Sequence, residues 1–331
     1  MTNNKRIYSL DLLRGIAGYG VAICHFFAFS RDIKIFEYYS FIFVEFFFVL
    51  SGFVLSQQLL KVVDNGKNIK TFYLRRWYRT LPLYFIALLF FTVLSSSYNF
   101  DFLKYLFLIQ KIIPDFVSND YFMVSWSLAV EEFFYFLFPL YLIFFSRKSL
   151  ILSVILFIVI FSLFKVLFID YFTSSFIRTG TLLRLDAIAL GFLLSLFINK
   201  ISKNKIFIIL FILIGSLLIF YFNNILNSSN NVYVLSFVFL SEIFSLILVL
   251  LFFNYNFLLK NELMIKFCKH IGNQTYSVYL FHLVFLYIIT GIETVLINNF
   301  FIYLLLIVIF SSLVYKFFEE PILKLRPNYK N

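Results

Sequence analysis

Apolar runs of about 17 to 22 residues, long enough to cross a hydrocarbon core of about 30 Å as helices, recur from one end of the chain to the other. The pattern predicts spans near 8–29, 41–60, 80–97, 121–145, 150–169, 181–198, 206–222, 233–253, 272–291 and 300–318. The expected fold class is all-α: a polytopic membrane protein of about ten transmembrane helices. Between the third and fourth spans, Phe102 to Ile113 is apolar but too short to cross, and Pro114 stops it. Residues 98–120 therefore read as a re-entrant or interfacial helix. There is no internal repeat and no low-complexity linker, so 1–331 is expected to form a single transmembrane domain without a soluble C-terminal domain.

Composition agrees with lipid as the solvent. Of 331 residues, 62% are hydrophobic and 14% charged, more apolar surface than a water-soluble domain of this length buries. The net charge of +11 comes without a basic helix or an aromatic RNA-binding motif, so it reports topology rather than nucleic acid. With the N-terminus in the cytoplasm, the N-terminus, 61–79, 146–149, 199–205, 254–271 and the C-terminal tail all lie inside, and they hold most of the Lys and Arg. Outside fall Arg31, Lys34, Lys104, Lys111 and Arg178. Lys5 and Arg6 precede an apolar run as in a signal peptide, but Asp11 and Arg14 interrupt that run and no small-residue cleavage site follows. The first helix is read as retained. Cys24 and Cys268 fall near opposite faces, which supports neither a disulfide nor a metal site.

Charge at bilayer depth costs at least about 2.5 to 3.5 kcal/mol, so ionisable residues within the spans are the first candidates for function. They are Asp11, Arg14, His25, Glu45, Glu131, Glu132, Arg184, Asp186, Glu242, His282, Glu319 and Glu320. Arg14 and His25 lie about 20° apart around the first helix and roughly 16 Å apart along it. One helix face therefore carries a cation toward the cytoplasm and an imidazole toward the exterior, with Asp11 beside Arg14. The order suits an anionic cytoplasmic donor met by Arg14 and an external hydroxyl deprotonated by His25 for attack on a thioester. Glu45, at a matching depth in the second helix, either orients His25 or hydrogen-bonds only to backbone or water.

Several ordered stretches resemble the acyltransferase 3 family of membrane proteins, which O-acylate bacterial surface carbohydrates. Leu10-Asp11-Leu12-Leu13-Arg14-Gly15-Ile16-Ala17 followed by His25 is similar to the family's opening signature, and Glu45 to Phe53 to its second, with Glu where Asp is common. Phe72 to Tyr84, Trp126 to Pro139, Arg184-Leu185-Asp186, Gly272-Asn273 through His282, and Glu319-x-Pro321 complete the order. The resemblance implies an acyl-CoA donor, usually acetyl-CoA, no metal, and an essential histidine at His25. It also implies a carbohydrate acceptor such as lipopolysaccharide, capsule or exopolysaccharide, a place in the bacterial inner membrane, and action alone or through a partner protein that takes the acyl group.

Within that frame Arg75, Arg76 and Arg79 are expected to clamp the phosphates of coenzyme A together with Arg14. Trp126, Ser127 and Glu131 are expected to form an acceptor wall reached from outside. Arg184 and Asp186 either hydrogen-bond sugar hydroxyls or balance each other. Asp11, His282 and Glu319 are structural or channel-lining, with a bridge from Glu319 to Arg14 as one option, and Glu242 has no assigned role. The competing class is a polytopic transporter or flippase of the envelope polysaccharide pathway, which normally shows repeats and broken helices absent here.

Overall fold

The computed structural model describes residues 6–31, 33–64, 68–145, 149–198, 200–201, 206–227, 230–255, 261–290 and 296–329. Lys5 and parts of the loops expected inside, such as 146–148, lie outside the described residues. The elements are α1 (Tyr8–Arg31), α2 (Ile35–Asp64), α3 (Ile69–Leu94), α4 (Asp101–Leu106), α5 (Trp126–Phe145), α6 (Leu150–Leu167) and α7 (Ser174–Thr179). They continue with α8 (Leu185–Phe197), α9 (Ile206–Asn227), α10 (Asn231–Asn254), α11 (Glu262–Thr290), α12 (Leu296–Val314) and α13 (Glu320–Lys324). No strand occurs among the described residues, and 7 helices are long and apolar enough to cross a membrane. The chain is an all-α polytopic membrane protein.

Side chains are distributed as lipid demands. Large apolar residues such as Val93, Ile160 and Leu305 face outward, while Glu45, Lys165, Arg184 and Asp186 are buried inside. This arrangement keeps these charges away from lipid, where a charged side chain is costly. Helices α2 and α8 run parallel in close contact. A Cβ at Gly52 would stand 1.8 Å from the Ile188 carbonyl oxygen, and one at Gly191 1.9 Å from that of Val49, so the two backbones approach as only glycine permits. Glu45 lies seven residues before Gly52, on nearly the same helical face, and so meets α8. Helices α1 and α11 are also parallel: Gly18 packs on Thr275, Tyr19 bonds Gln274, and His25 reaches His282.

Two departures from the sequence reading matter. The 98–120 region holds only the six-residue α4, followed by irregular chain with left-handed Leu108 (φ 58°) and Asp115 (φ 51°), rather than a helix to Ile113. Asp101 organises it, accepting from Lys104 (2.7 Å), from the Ser118 hydroxyl and from the Ser118 backbone N–H (2.9 Å). Burial works against that charge, but the bonds from Lys104 and Ser118 outweigh it and hold the Asp101 carboxyl down at about 2. The second departure is the start of α3, at Ile69 rather than near 80, so that Arg75, Arg76 and Arg79 stand within the helix instead of at its mouth.

Candidate active site

A cavity of about 440 Å³ opens among α1, α2, α3, α5, α11 and the junction of α12 with α13. Six arginines line it, Arg6, Arg14, Arg75, Arg76, Arg79 and Arg326, against three carboxylates, Asp11, Glu131 and Glu319. Local structure explains the gathering. Arg76 and Arg79 are three residues apart on α3 and share a face. Asp11, in the first turn of α1, holds Arg6 at 2.5 Å and Arg14 at 3.5 Å, and Arg6 also donates to Asn273 on α11 (2.8 Å). A π-helical turn, Tyr315–Glu319, resets the register after α12, and Glu319 lines the cavity from its end.

The remaining arginines lack anions. Among the described residues none of Arg75, Arg76, Arg79 and Arg326 closes an ion pair with a carboxylate. Arg75 donates to the Pro327 carbonyl (2.6 Å) and lies over the Tyr329 ring, and Arg76 lies over Tyr135. The Nε atoms of Arg75 and Arg76 are buried without an acceptor. Burial, then the crowding of Arg79, Arg75 and Arg76, pulls the Arg326 guanidinium down to about 10. With six arginines against three carboxylates the cavity keeps an excess of positive charge, which favours anions over cations within it. Glu319 falls within electrostatic reach of Arg79 rather than bridging to Arg14.

Ser127 and Glu131 belong to this cavity and not to a separate outer wall. The cause is the chain before α5: Phe122, Val124 and Ser125 are already buried, so the helix starts inside the bundle. Glu131 accepts from Ser51 and Tyr135, each at 2.8 Å. Ser127 meets the Tyr279 hydroxyl at 2.6 Å, and that hydroxyl donates to the Val124 carbonyl. Trp126 is a packing residue, stacked on Phe41 and edge-on to Phe48.

One turn beyond Tyr279 stands a histidine pair. His25 Nδ1 lies 2.7 Å from His282 Nε2, and the rings are 5.0 Å apart at 22°. The pairing of Glu45 with His25 does not occur. Glu45 faces α8, where Arg184 Nη2 lies 2.5 Å from its Oε1, and a buried carboxylate is better compensated by a guanidinium than by a neutral imidazole.

Arg184 and Asp186 are likewise not placed to meet a sugar. Both are fully buried in a cluster in which Arg184 also reaches Glu242 (3.0 Å), and Lys165 joins Glu242 (2.9 Å) to Asp186 (2.6 Å). Their direct ion pairs are with Glu45, Glu242 and Lys165, not with each other. Lys165 is a member of this cluster without a role assigned from sequence, and its signal there is a lone lysine late in the apolar α6. Arg326 falls in the C-terminal tail, and nothing in the sequence ties that residue to the α3 arginines.

Fold and site together define a polytopic membrane protein with a cationic cavity that ends near a buried histidine pair. The acyltransferase domain model of the acyltransferase 3 family matches residues 7–316, and the chain belongs to that family. Peptidoglycan O-acetyltransferase OatA of Listeria monocytogenes is 27% identical over 165 residues, 44% of this chain and 25% of that protein. An uncharacterized protein of Haemophilus influenzae is 30% identical over 190 residues, 48% of this chain and 76% of that one. The match thus spans only a quarter of the Listeria relative's length. No solved structure matches the chain.

Proposed function

We propose that this protein is a membrane O-acyltransferase that moves an acyl group, acetyl foremost, from acyl-CoA to a hydroxyl of an extracytoplasmic carbohydrate. The observation that carries the reading is the cavity in which Arg75, Arg76, Arg79 and Arg326 close no ion pair with a carboxylate and whose lining residue Tyr279 lies one turn from His282, itself in contact with His25. The arginines suit the phosphates of coenzyme A. His25 takes the proton of the acceptor hydroxyl as its oxygen attacks the thioester carbonyl, the carbon–sulfur bond breaks, and the proton passes to the departing thiolate.

The orientation belongs to the same proposal: both termini face the cytoplasm, and the protein lies in the bacterial inner membrane as a single transmembrane domain. The uneven distribution of Lys and Arg supports it, as does the parallel packing of the first span on the ninth and of the second on the sixth. Similarity to the Listeria relative, a peptidoglycan O-acetyltransferase, favours a glycan acceptor, with O-antigen, capsule and exopolysaccharide in the same chemical class. A separate protein that relays the acyl group fits the same scheme.

Mass spectrometry of surface glycans from cells with and without the gene tests the reading. The expected result is an acyl mass difference on one glycan. Unchanged acylation, with export of the glycan lost instead, overturns it in favour of transport.

A further inference from the structure

We infer that His282 is a positioning residue that fixes His25 in the tautomer with the proton on Nδ1 and the lone pair on Nε2. The inference rests on the reading of His25 as the base and adds what makes it one.

The proton positions follow from the acceptors. His282 Nδ1 lies 2.8 Å from the Tyr279 carbonyl oxygen and 3.2 Å from that of Val278. A carbonyl only accepts, so His282 Nδ1 carries a hydrogen. Both rings are buried, and among the described residues no carboxylate contacts either, so the resting pair is neutral. A neutral imidazole has one N–H, which leaves His282 Nε2 as a lone pair. That atom faces His25 Nδ1 at 2.7 Å, so His25 Nδ1 must donate. The lone pair of His25 is thereby placed on Nε2, which no group bonds among the described residues.

The chain Tyr279 carbonyl, His282, His25 thus does with a backbone oxygen and a second imidazole what a carboxylate does for other catalytic histidines. Free histidine in water favours the opposite tautomer, with hydrogen on Nε2, which could not accept the hydroxyl proton. When His25 Nε2 takes that proton, its Nδ1–H continues to donate to His282, whose Nδ1–H remains on the Tyr279 carbonyl. His282 stays neutral and the proton leaves from His25 to the thiolate, so no proton crosses the pair.

Nitrogen-15 NMR of histidine-labelled protein in lipid reads the tautomers directly, because the chain has 3 histidines and single variants assign them. The expected spectrum at neutral pH shows His25 protonated on Nδ1 and bare on Nε2. In His282→Gln the side-chain oxygen replaces the Nε2 acceptor and keeps both the tautomer and the transfer rate. In His282→Leu the proton of His25 moves to Nε2 and kcat falls about 100-fold, with KM for acetyl-CoA unchanged. Native protein with His25 protonated on Nε2 overturns the inference, as does His282→Leu with undiminished kcat. If His282→Leu does not fold, the native spectrum alone decides. Loss of the base reading shows separately, as unimpaired transfer by His25→Ala while the tautomers are as inferred.

Discussion

The guanidinium of Arg184 stands 2.5 Å from Glu45, across the contact where Gly52 and Gly191 bring α2 and α8 together. The pair ties the second signature of the sequence to its Arg-x-Asp motif through structure and not through substrate. Arg184→Met leaves Glu45 and Glu242 without their shared cation and is expected to destabilise the protein by about 3–5 kcal/mol. Thermal unfolding in lipid nanodiscs measures it, and adding Glu45→Gln recovers part of the loss. A variant of normal stability with weakened acceptor binding would return Arg184 to the substrate site.

Donor binding is expected to depend on the arginines that have no carboxylate partner. Arg76→Gln and Arg79→Gln each remove a charged donor worth about 1.5–3 kcal/mol, or tenfold and more in affinity for acetyl-CoA. Calorimetric titration of the detergent-solubilised protein checks this, and Arg326→Gln belongs to the same series. Unchanged affinity in all three would leave the cavity without its assigned ligand.

Much of this was legible in the chain. Every predicted span holds a helix, because unbroken apolar runs in lipid have few alternatives to helix. Most of the polar positions were legible too, Lys165 excepted, since charge at bilayer depth is rare enough to stand out. Partnership was not. Glu45 and His25 share a depth, but depth leaves the azimuth of each helix free, and two glycines on α2 and α8 turned Glu45 toward Arg184. The same gap concealed His282 as the partner of His25, and Lys165 as the cation completing the Glu242 cluster. For Ser127 the depth itself misled, because the buried entry at Phe122 to Ser125 starts α5 inside the bundle.

Acid should loosen the segment that Asp101 organises. Its carboxyl, held at about 2 against about 3.9 for an unperturbed aspartate, contributes stability that is complete above about pH 4 and lost as pH falls through about 2. Hydrogen exchange at the Ser118 and Asn119 amides, corrected for intrinsic rates, should show protection declining across that interval. Asp101→Asn should lack the step. Equal decline in both proteins would show that another group governs the loop.

The most direct measurement is acyl transfer by purified protein in proteoliposomes, with labelled acetyl-CoA on one side and a glycan acceptor on the other, comparing the native chain with His25→Ala. The expected result is a fall in transfer of about 100-fold or more with acetyl-CoA affinity retained, the mark of a lost general base beside an intact donor site. Transfer by His25→Ala at the native rate would contradict the account.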